Sequence, residues 1–164
     1  MFNIILDATE CPIERPSDYE TQKMYYSGKS KTHCVKYEVG IHYTEGFLVW
    51  ISGSRPGSVH DLQVTRESGL LDMLLPNELI LADKGYIGED LFLTPIRQPE
   101  SEEEWFVNAE LSRVRILIEH VIGRLKVFRC LREPWRHDLH LHAVVFDVIC
   151  NLVNLDFLAA PPLL

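Results

Sequence analysis

No stretch of this 164-residue sequence approaches the roughly 20 uninterrupted apolar residues that a membrane-spanning helix needs. The first ten residues carry acid and no basic run, so they do not read as a secretion signal. No internal repeat or low-complexity tract is present. Cysteine is scarce and scattered: Cys11, Cys34, Cys130 and Cys150 form no CxxC pair. All four read as free thiols of a reducing compartment. Basic charge is also short. Sixteen Lys and Arg against 24 Asp and Glu leave a net charge of −8, the reverse of the basic surface that phosphate binding usually shows.

What is present suits one globular domain, residues 1–164, since 46% of the residues are hydrophobic and the length allows a real core. The basic residues it has are clustered. Arg113, Arg115, Arg124, Lys126, Arg129, Arg132 and Arg136 face only Glu119 and Glu133 in their segment, and Lys23, Lys29, Lys31 and Lys36 form a second group. Two local clusters on an acidic chain permit a focused DNA contact. A solvated helix face explains any one of these residues equally well.

The first half reads as strands. Residues 2–7 are a short apolar run, 32–43 alternate and are β-rich, and Phe47 to Ser52 follow after the turn Thr44-Glu45-Gly46. Ser58, with Asp61 three residues on, matches a capping box that starts a helix. Residues 78–82 return to strand, and Lys84 to Gly88 form a glycine-bounded turn. Pro95, Pro99 and the acids of 100–104 mark 89–107 as an irregular connection. A long amphipathic helix is expected from about Asn108 or Ser112, its apolar positions Leu111, Val114, Ile118, Val121, Ile122, Leu125 and Phe128 stepping by three or four. A second helix, about His140 to Leu158, is apolar all round and expected to be buried. This element order predicts an α/β fold with a mixed central sheet flanked by helices.

Three carboxylates stand out. Asp7 closes the run Phe2 to Leu6, Asp83 closes Leu79 to Ala82, and Glu119 lies in the long helix. If the strands at 2–7 and 78–82 are neighbours, the aspartates sit side by side at one sheet edge. Two strand-end aspartates and a helical glutamate can form an all-oxygen pocket, which suits Mg²⁺ or Mn²⁺. Two such ions roughly 3.5–4 Å apart clamp both oxygens of a phosphodiester substitution. Taken singly, each acid has a plainer reading: Glu119 as an i, i+4 partner of Arg115, Asp7 and Asp83 as turn residues. Gly123, costly by up to about 1 kcal/mol inside a helix, suggests close approach of DNA or another element.

The segments Asp7-Ala8-Thr9-Glu10, Tyr26-Ser27-Gly28-Lys29, Pro56 to Asp61, Ala82-Asp83-Lys84-Gly85-Tyr86 and Arg115 to Lys126 occur in that order. Together they resemble the DDE transposase superfamily, in particular PIF/Harbinger-type transposases and related bacterial insertion-sequence enzymes, from Asp7 to about Asn154. The 35 residues between Asp83 and Glu119 are a spacing typical of that superfamily. The resemblance implies a ribonuclease-H-like fold and a DNA endonuclease and strand-transfer core. It implies that Asp7, Asp83 and Glu119 hold two Mg²⁺ or Mn²⁺ ions. By the same resemblance Lys29, Lys84, Arg115 and Lys126 are phosphate contacts, and His60 and Asp61 are accessory residues near the site. Family members carry an upstream helix-turn-helix-like region that this chain lacks, so a separate DNA-binding domain or protein is an expected partner, as is a second copy of the chain. The resemblance implies no membrane partner, and a nuclear location in a eukaryote or a cytoplasmic one otherwise.

Two other classes remain open on sequence. A domesticated, transposase-derived binding module would keep the acids without turnover, and a small-molecule phosphoesterase would not need so long a basic helix face. His137, His140 and His142 form an HxxHxH cluster that lacks cysteine or carboxylate partners at zinc-ligand spacing except Asp138, and it reads as a loop entering the last helix.

Overall fold

Alternation along the first strand, β1 (Phe2–Pro12), divides the molecule in two. In this computed structural model, which describes residues 2–160, Ile5 and Cys11 enter one apolar cluster and Leu6 enters another on the opposite side of the sheet. Successive strand residues point to opposite faces, so Asp7 and Thr9 share the face of Ile5 and Cys11. A short helix, α1 (Tyr19–Tyr25), leads to β2 (Cys34–His42), which pairs antiparallel with β1. On its far side β2 pairs antiparallel with β3 (Leu48–Ile51) and with β4 (Arg55–Pro56). After α2 (Asp61–Ser68) the chain returns as β5 (Leu79–Leu81), parallel to β1, and then as β6 (Phe92–Leu93), parallel to β5. The order β3-β2-β1-β5-β6 is the expected mixed sheet.

Helices cover both faces. Leu62 of α2 packs with Leu6, Ile80, Ala82, Tyr86 and Phe92. The larger cluster joins Ile5, Tyr37, Val39, Ile41 and Leu81 to α3 (Glu102–Leu125), α4 (Arg129–Arg132) and α5 (Leu139–Ala159) through Leu111, Ile118, Val121, Leu125, Leu131, Phe146 and Val153. Strand β2 is buried from Cys34 to Ile41 because it is covered on both sides.

Several boundaries differ from the sequence expectation, each for a physical reason. The long helix begins at Glu102, inside the segment expected to be irregular. Ser101 and Glu104 close a capping box, and Glu102 to Glu104 sit at the positive end of the helix dipole. Helix α2 starts at Asp61 rather than Ser58, with His60 at its N-cap and no side-chain cap. The Ser58 box does not form because the Asp61 carboxylate is taken by Lys36 at 2.7 Å. Ser58 itself donates its N–H to the Met24 carbonyl. The Pro56-Gly57 corner that precedes it is tightly packed: a β-carbon on Gly57 would stand 2.5 Å from Cys34 Sγ and 2.6 Å from the Tyr25 carbonyl oxygen.

Helix α5 is also not buried all round. Leu141, Val144, Val148, Leu152, Leu155 and Leu158 are exposed along its outer face, while Phe146, Ile149, Cys150, Val153 and Phe157 enter the core. With a mean hydropathy of 1.6 over 18 residues it is the one described helix long and apolar enough to cross a membrane. Its inner face is built for this fold instead. Asn154 both accepts from and donates to the backbone of Leu48, closing part of the open edge of β3, and His142 is wholly buried against Tyr37 at 2.7 Å. Burial pushes the His142 imidazole down to about 4 and keeps it neutral. His142 is thus a core residue, while His137 and His140 stay exposed. The four cysteines are free thiols.

Gly57→Ala is expected to lower the unfolding free energy by roughly 1–3 kcal/mol, since backbone as well as side-chain atoms must move to admit one methyl group. Urea denaturation of the two proteins side by side tests this; equal midpoints would contradict the packing described.

Candidate active site

Parallel pairing sets the geometry at the end of β5. Ile4 lies beside Ile80 and Ile5 beside Leu81, so two residues further along the same register Asp7 comes beside Asp83. Ile5 and Leu81 belong to the same cluster, so both aspartates point to the face that α3 covers. The Asp7 carboxylate accepts from its neighbour Ala8 N–H at 2.8 Å. Burial chiefly, helped by the charge of Asp83, pushes it up to about 6, against the opposing effects of the Ala8 bond, Lys29 and Arg115. Asp83 starts a single 3₁₀ turn, Lys84–Tyr86, and accepts from Gly85 N–H at 2.7 Å. A β-carbon on Gly85 would stand 2.9 Å from that same oxygen, so glycine lets the carboxylate fold over the turn.

The basic residues divide into free and engaged ones. Lys29 and Lys84 are exposed, and Lys29 is close enough for its charge to act on Asp7. Arg115 is half-buried on α3, acts on Asp7, and holds its Nε in the interior without a partner. Lys126 is engaged: its ammonium donates to the carbonyls of Glu10 and Leu131 and lies 3.3 Å from Cys11 Sγ, clamping α4 and the end of α3 to β1. Glu119 is exposed on α3, one turn beyond Arg115, and makes no ion pair with it. A β-carbon on Gly123 would meet nothing within 4 Å, so no contact among the described residues requires that glycine.

A second polar group, of which the sequence pointed only to Lys36 and Asp61, lies on the opposite face of the sheet. Lys36, only 6% exposed, donates to Asp61 at 2.7 Å and to the Val59 carbonyl at 2.6 Å. Glu38, fully buried, accepts from the Thr65 hydroxyl and from Trp50 Nε1 at 3.3 Å. Burial pushes its carboxyl up to about 7, with Asp61 adding to the effect. The buried Tyr86 hydroxyl has no hydrogen-bond partner, and its ionisation is suppressed by burial first and then by Glu38, Asp61, Asp7 and Asp83. Asp61 also approaches the turn after Asp83: its Oδ2 would lie 3.5 Å from a β-carbon on Gly85. His60 is exposed at the N-cap of α2. The alternation of strand β2 signalled this group, since Lys36 and Glu38 fall on one face; their partners on α2 were invisible without the fold.

The pair Asp7 and Asp83 fits a hard divalent cation. Both are carboxylates, they sit on one face, and the penalty on ionising Asp7 is what a bound cation would remove. Among the described residues no group of three or more His, Cys, Asp or Glu side chains is gathered closely enough to hold an ion, so Glu119 stands outside the pair.

A family model described as "DDE superfamily endonuclease" matches residues 6–154. The chain is 33% identical over 161 residues to the "Probable transposase for insertion sequence element IS702" of Microchaete diplosiphon, covering 93% of this chain and 56% of that protein. It is 26% identical over 159 residues to the "Putative nuclease HARBI1" of Xenopus laevis, covering 92% of this chain and 45% of that protein. The chain thus spans about half the length of these relatives. No solved structure matches.

Because folding raises the Asp7 carboxyl from 3.8 to about 6, the native state binds the extra proton and its stability falls as pH rises between those values. Asp7→Asn, in chelator, is therefore expected to be more stable than the native sequence at pH 7.5, by up to about 3 kcal/mol. The advantage is expected to shrink to nothing below pH 4. Denaturation of both proteins at the two pH values tests this; a variant less stable at pH 7.5 would contradict it.

Proposed function

Since the chain belongs to the DDE superfamily of endonucleases, we propose that it is a divalent-metal-dependent DNA endonuclease and transposase core of ribonuclease-H-like fold. The observation that carries this reading is the β1–β5 register, which sets Asp7 beside Asp83 on the face of α3. The transposase and nuclease names of its relatives point to DNA as the substrate.

In this reading Asp7, Asp83 and Glu119 are the ligands of two Mg²⁺ or Mn²⁺ ions. When bound, the ions supply the activation of a water or a DNA 3′-hydroxyl and the stabilisation of the leaving oxygen. The protein's own groups do the rest. Asp7 and Asp83 fix the cation position from rigid strand ends, and the Gly85 N–H orients one oxygen of Asp83. Glu119 closes the site from α3. Its exposed carboxylate shares a helix flank with Arg115, whose charge already acts on Asp7. Lys29, Lys84 and Arg115 are placed to hold phosphates and fix the strand. His60 and Asp61 act from α2, with Asp61 restraining the Gly85 turn. Recognition of specific ends falls to a separate DNA-binding domain or protein, and the location follows the DNA: nuclear in a eukaryote, cytoplasmic otherwise.

One observation favours a second reading. Glu119 is not gathered with the aspartates, as suits a transposase-derived module that binds without cutting.

Mn²⁺ titration calorimetry with Asp83→Ala and Glu119→Gln, followed by cleavage of a DNA duplex, separates the two. The nuclease reading expects heat in the native protein, loss of binding in Asp83→Ala, and cleavage reduced by more than about 100-fold in both variants. Metal binding without cleavage in the native protein favours the module; undiminished cleavage by either variant sinks the assignment of the acids.

A further inference from the structure

Beyond the end of β1 lies a groove of about 350 Å³ lined by Arg15, Tyr19, Gln22, Lys23, Tyr26 and His33. Two cations, two phenol rings and an imidazole meet there with no acid, on a chain of net charge −8. Tyr19 is 73% exposed and Tyr26 42%, large aromatic surfaces left open to solvent. Neighbouring Glu14, Asp18 and Glu20 do not line the groove.

The lining is held in place by the fold. Arg15 Nη2 donates to Gln22 Oε1 at 2.8 Å, and Gln22 Nε2 donates to the Pro16 carbonyl at 2.8 Å. Tyr26 and His33 form a backbone bridge, and their rings meet edge to face at 5.6 Å. Ile13 N–H donates to the His33 carbonyl, tying that wall to the chain leaving β1. Between the two rings the turn 27–32 is pinned by Ser27, whose hydroxyl donates to Glu10 at 2.7 Å and whose N–H donates to the Thr32 carbonyl. That turn carries Lys29 and Lys31, both exposed.

The turn 27–32 links the groove to the surroundings of Asp7. Lys29 acts on Asp7 at one end of the turn, while Tyr26 and His33 flank it at the other. Along β1, Pro12 lies five residues beyond Asp7, roughly 17 Å at the usual strand rise and a few nucleotides of a DNA strand. Rings that offer open faces beside cations are the chemistry that accepts an unstacked base and its phosphates, with little regard to sequence.

We propose that this groove is a stacking seat for an unpaired nucleobase of the DNA strand that passes Asp7 and Asp83. Tyr19 and Tyr26 meet the base, and Arg15, Lys23 and Lys29 meet the backbone on either side. The identity of the strand rests on the nuclease reading; the seat itself needs neither metal nor cleavage. Its consequence is a preference for frayed or single-stranded DNA over a closed duplex, whose bases stay stacked on one another.

The test is fluorescence anisotropy in EDTA with a labelled ten-nucleotide thymidine strand, its blunt duplex, and the same strand with abasic residues. The native protein is expected to bind the intact strand better than the duplex and at least roughly tenfold better than the abasic strand. Tyr19→Ala with Tyr26→Ala is expected to lose about the same factor, and Tyr19→Phe with Tyr26→Phe to bind within about twofold of native. Equal binding of intact and abasic strands by the native protein would overturn the seat, whatever the folding of the alanine variant. So would native-like binding by a folded alanine variant. The same strand binding, alongside failure of Mn²⁺-dependent cleavage, would support the seat and count against the nuclease reading alone.

Discussion

The parallel hydrogen bonding between β1 and β5 fixes which face of the sheet each carboxylate occupies, and the proposed chemistry depends on that choice. Side chains alternate along a strand, so a slip of one residue in either strand would send one aspartate to the α2 face and leave its partner alone. The apolar residues guard against the slip. Ile5 and Leu81 are buried on the α3 side, Leu6 and Ile80 on the other, and a shifted register would expose or clash all four. The site is therefore specified by hydrophobic residues that never touch a substrate. Helix α3, seated on the same cluster through Ile118 and Val121, inherits its position from them and brings Arg115 and Glu119 to the same side.

Polar groups on the two faces play different parts. On the α3 side Asp7 is held against its own ionisation, an arrangement that pure folding would not favour and that a bound cation would relieve. On the α2 side Lys36, Asp61, Glu38 and Thr65 satisfy one another in the interior. Buried pairs of this kind add little net stability but resist being pulled apart. Here they anchor the first turn of α2 to β2, and the Asp61 carboxylate reaches to within 3.5 Å of where a β-carbon on Gly85 would stand. Tyr86 lies between the two groups, its ring in the apolar cluster and its hydroxyl among the acids of both.

Much of this was legible in the sequence. The strands around 34–42 and 79–81, the mixed order and the amphipathic stripe of α3 follow from period and punctuation; the neighbourhood of Asp7 and Asp83 hinged on strand pairing that only the fold supplies. What was not legible depended on long-range partners. The capping residue of α2 was misplaced because Asp61 prefers a lysine 25 residues away to its own helix. An acidic run preceded by prolines reads as a loop, and only the mutual capping of Ser101 and Glu104 shows that α3 starts there. Helix α5 looked buried on every side because its composition is apolar throughout; only the fold shows that one face is left to solvent. Lys126 reads by resemblance as a phosphate contact, while its inward carbonyl partners come from β1 and α4, segments that no local pattern connects. Membership of the DDE superfamily, by contrast, was written in five short motifs spread across the chain.

The same sheet pairing has a consequence for the folding chain. Asp7 lies on the first strand and Asp83 beyond the fifth, so the pair is among the later contacts to form, after the local β1–β2–β3 meander. Until β5 docks, each acid is an ordinary solvated side chain with no neighbour to share an ion. A truncated or partly folded chain therefore carries both acids and not their pairing. The proximity of the two acids arrives together with the completed sheet, as a property of the whole domain.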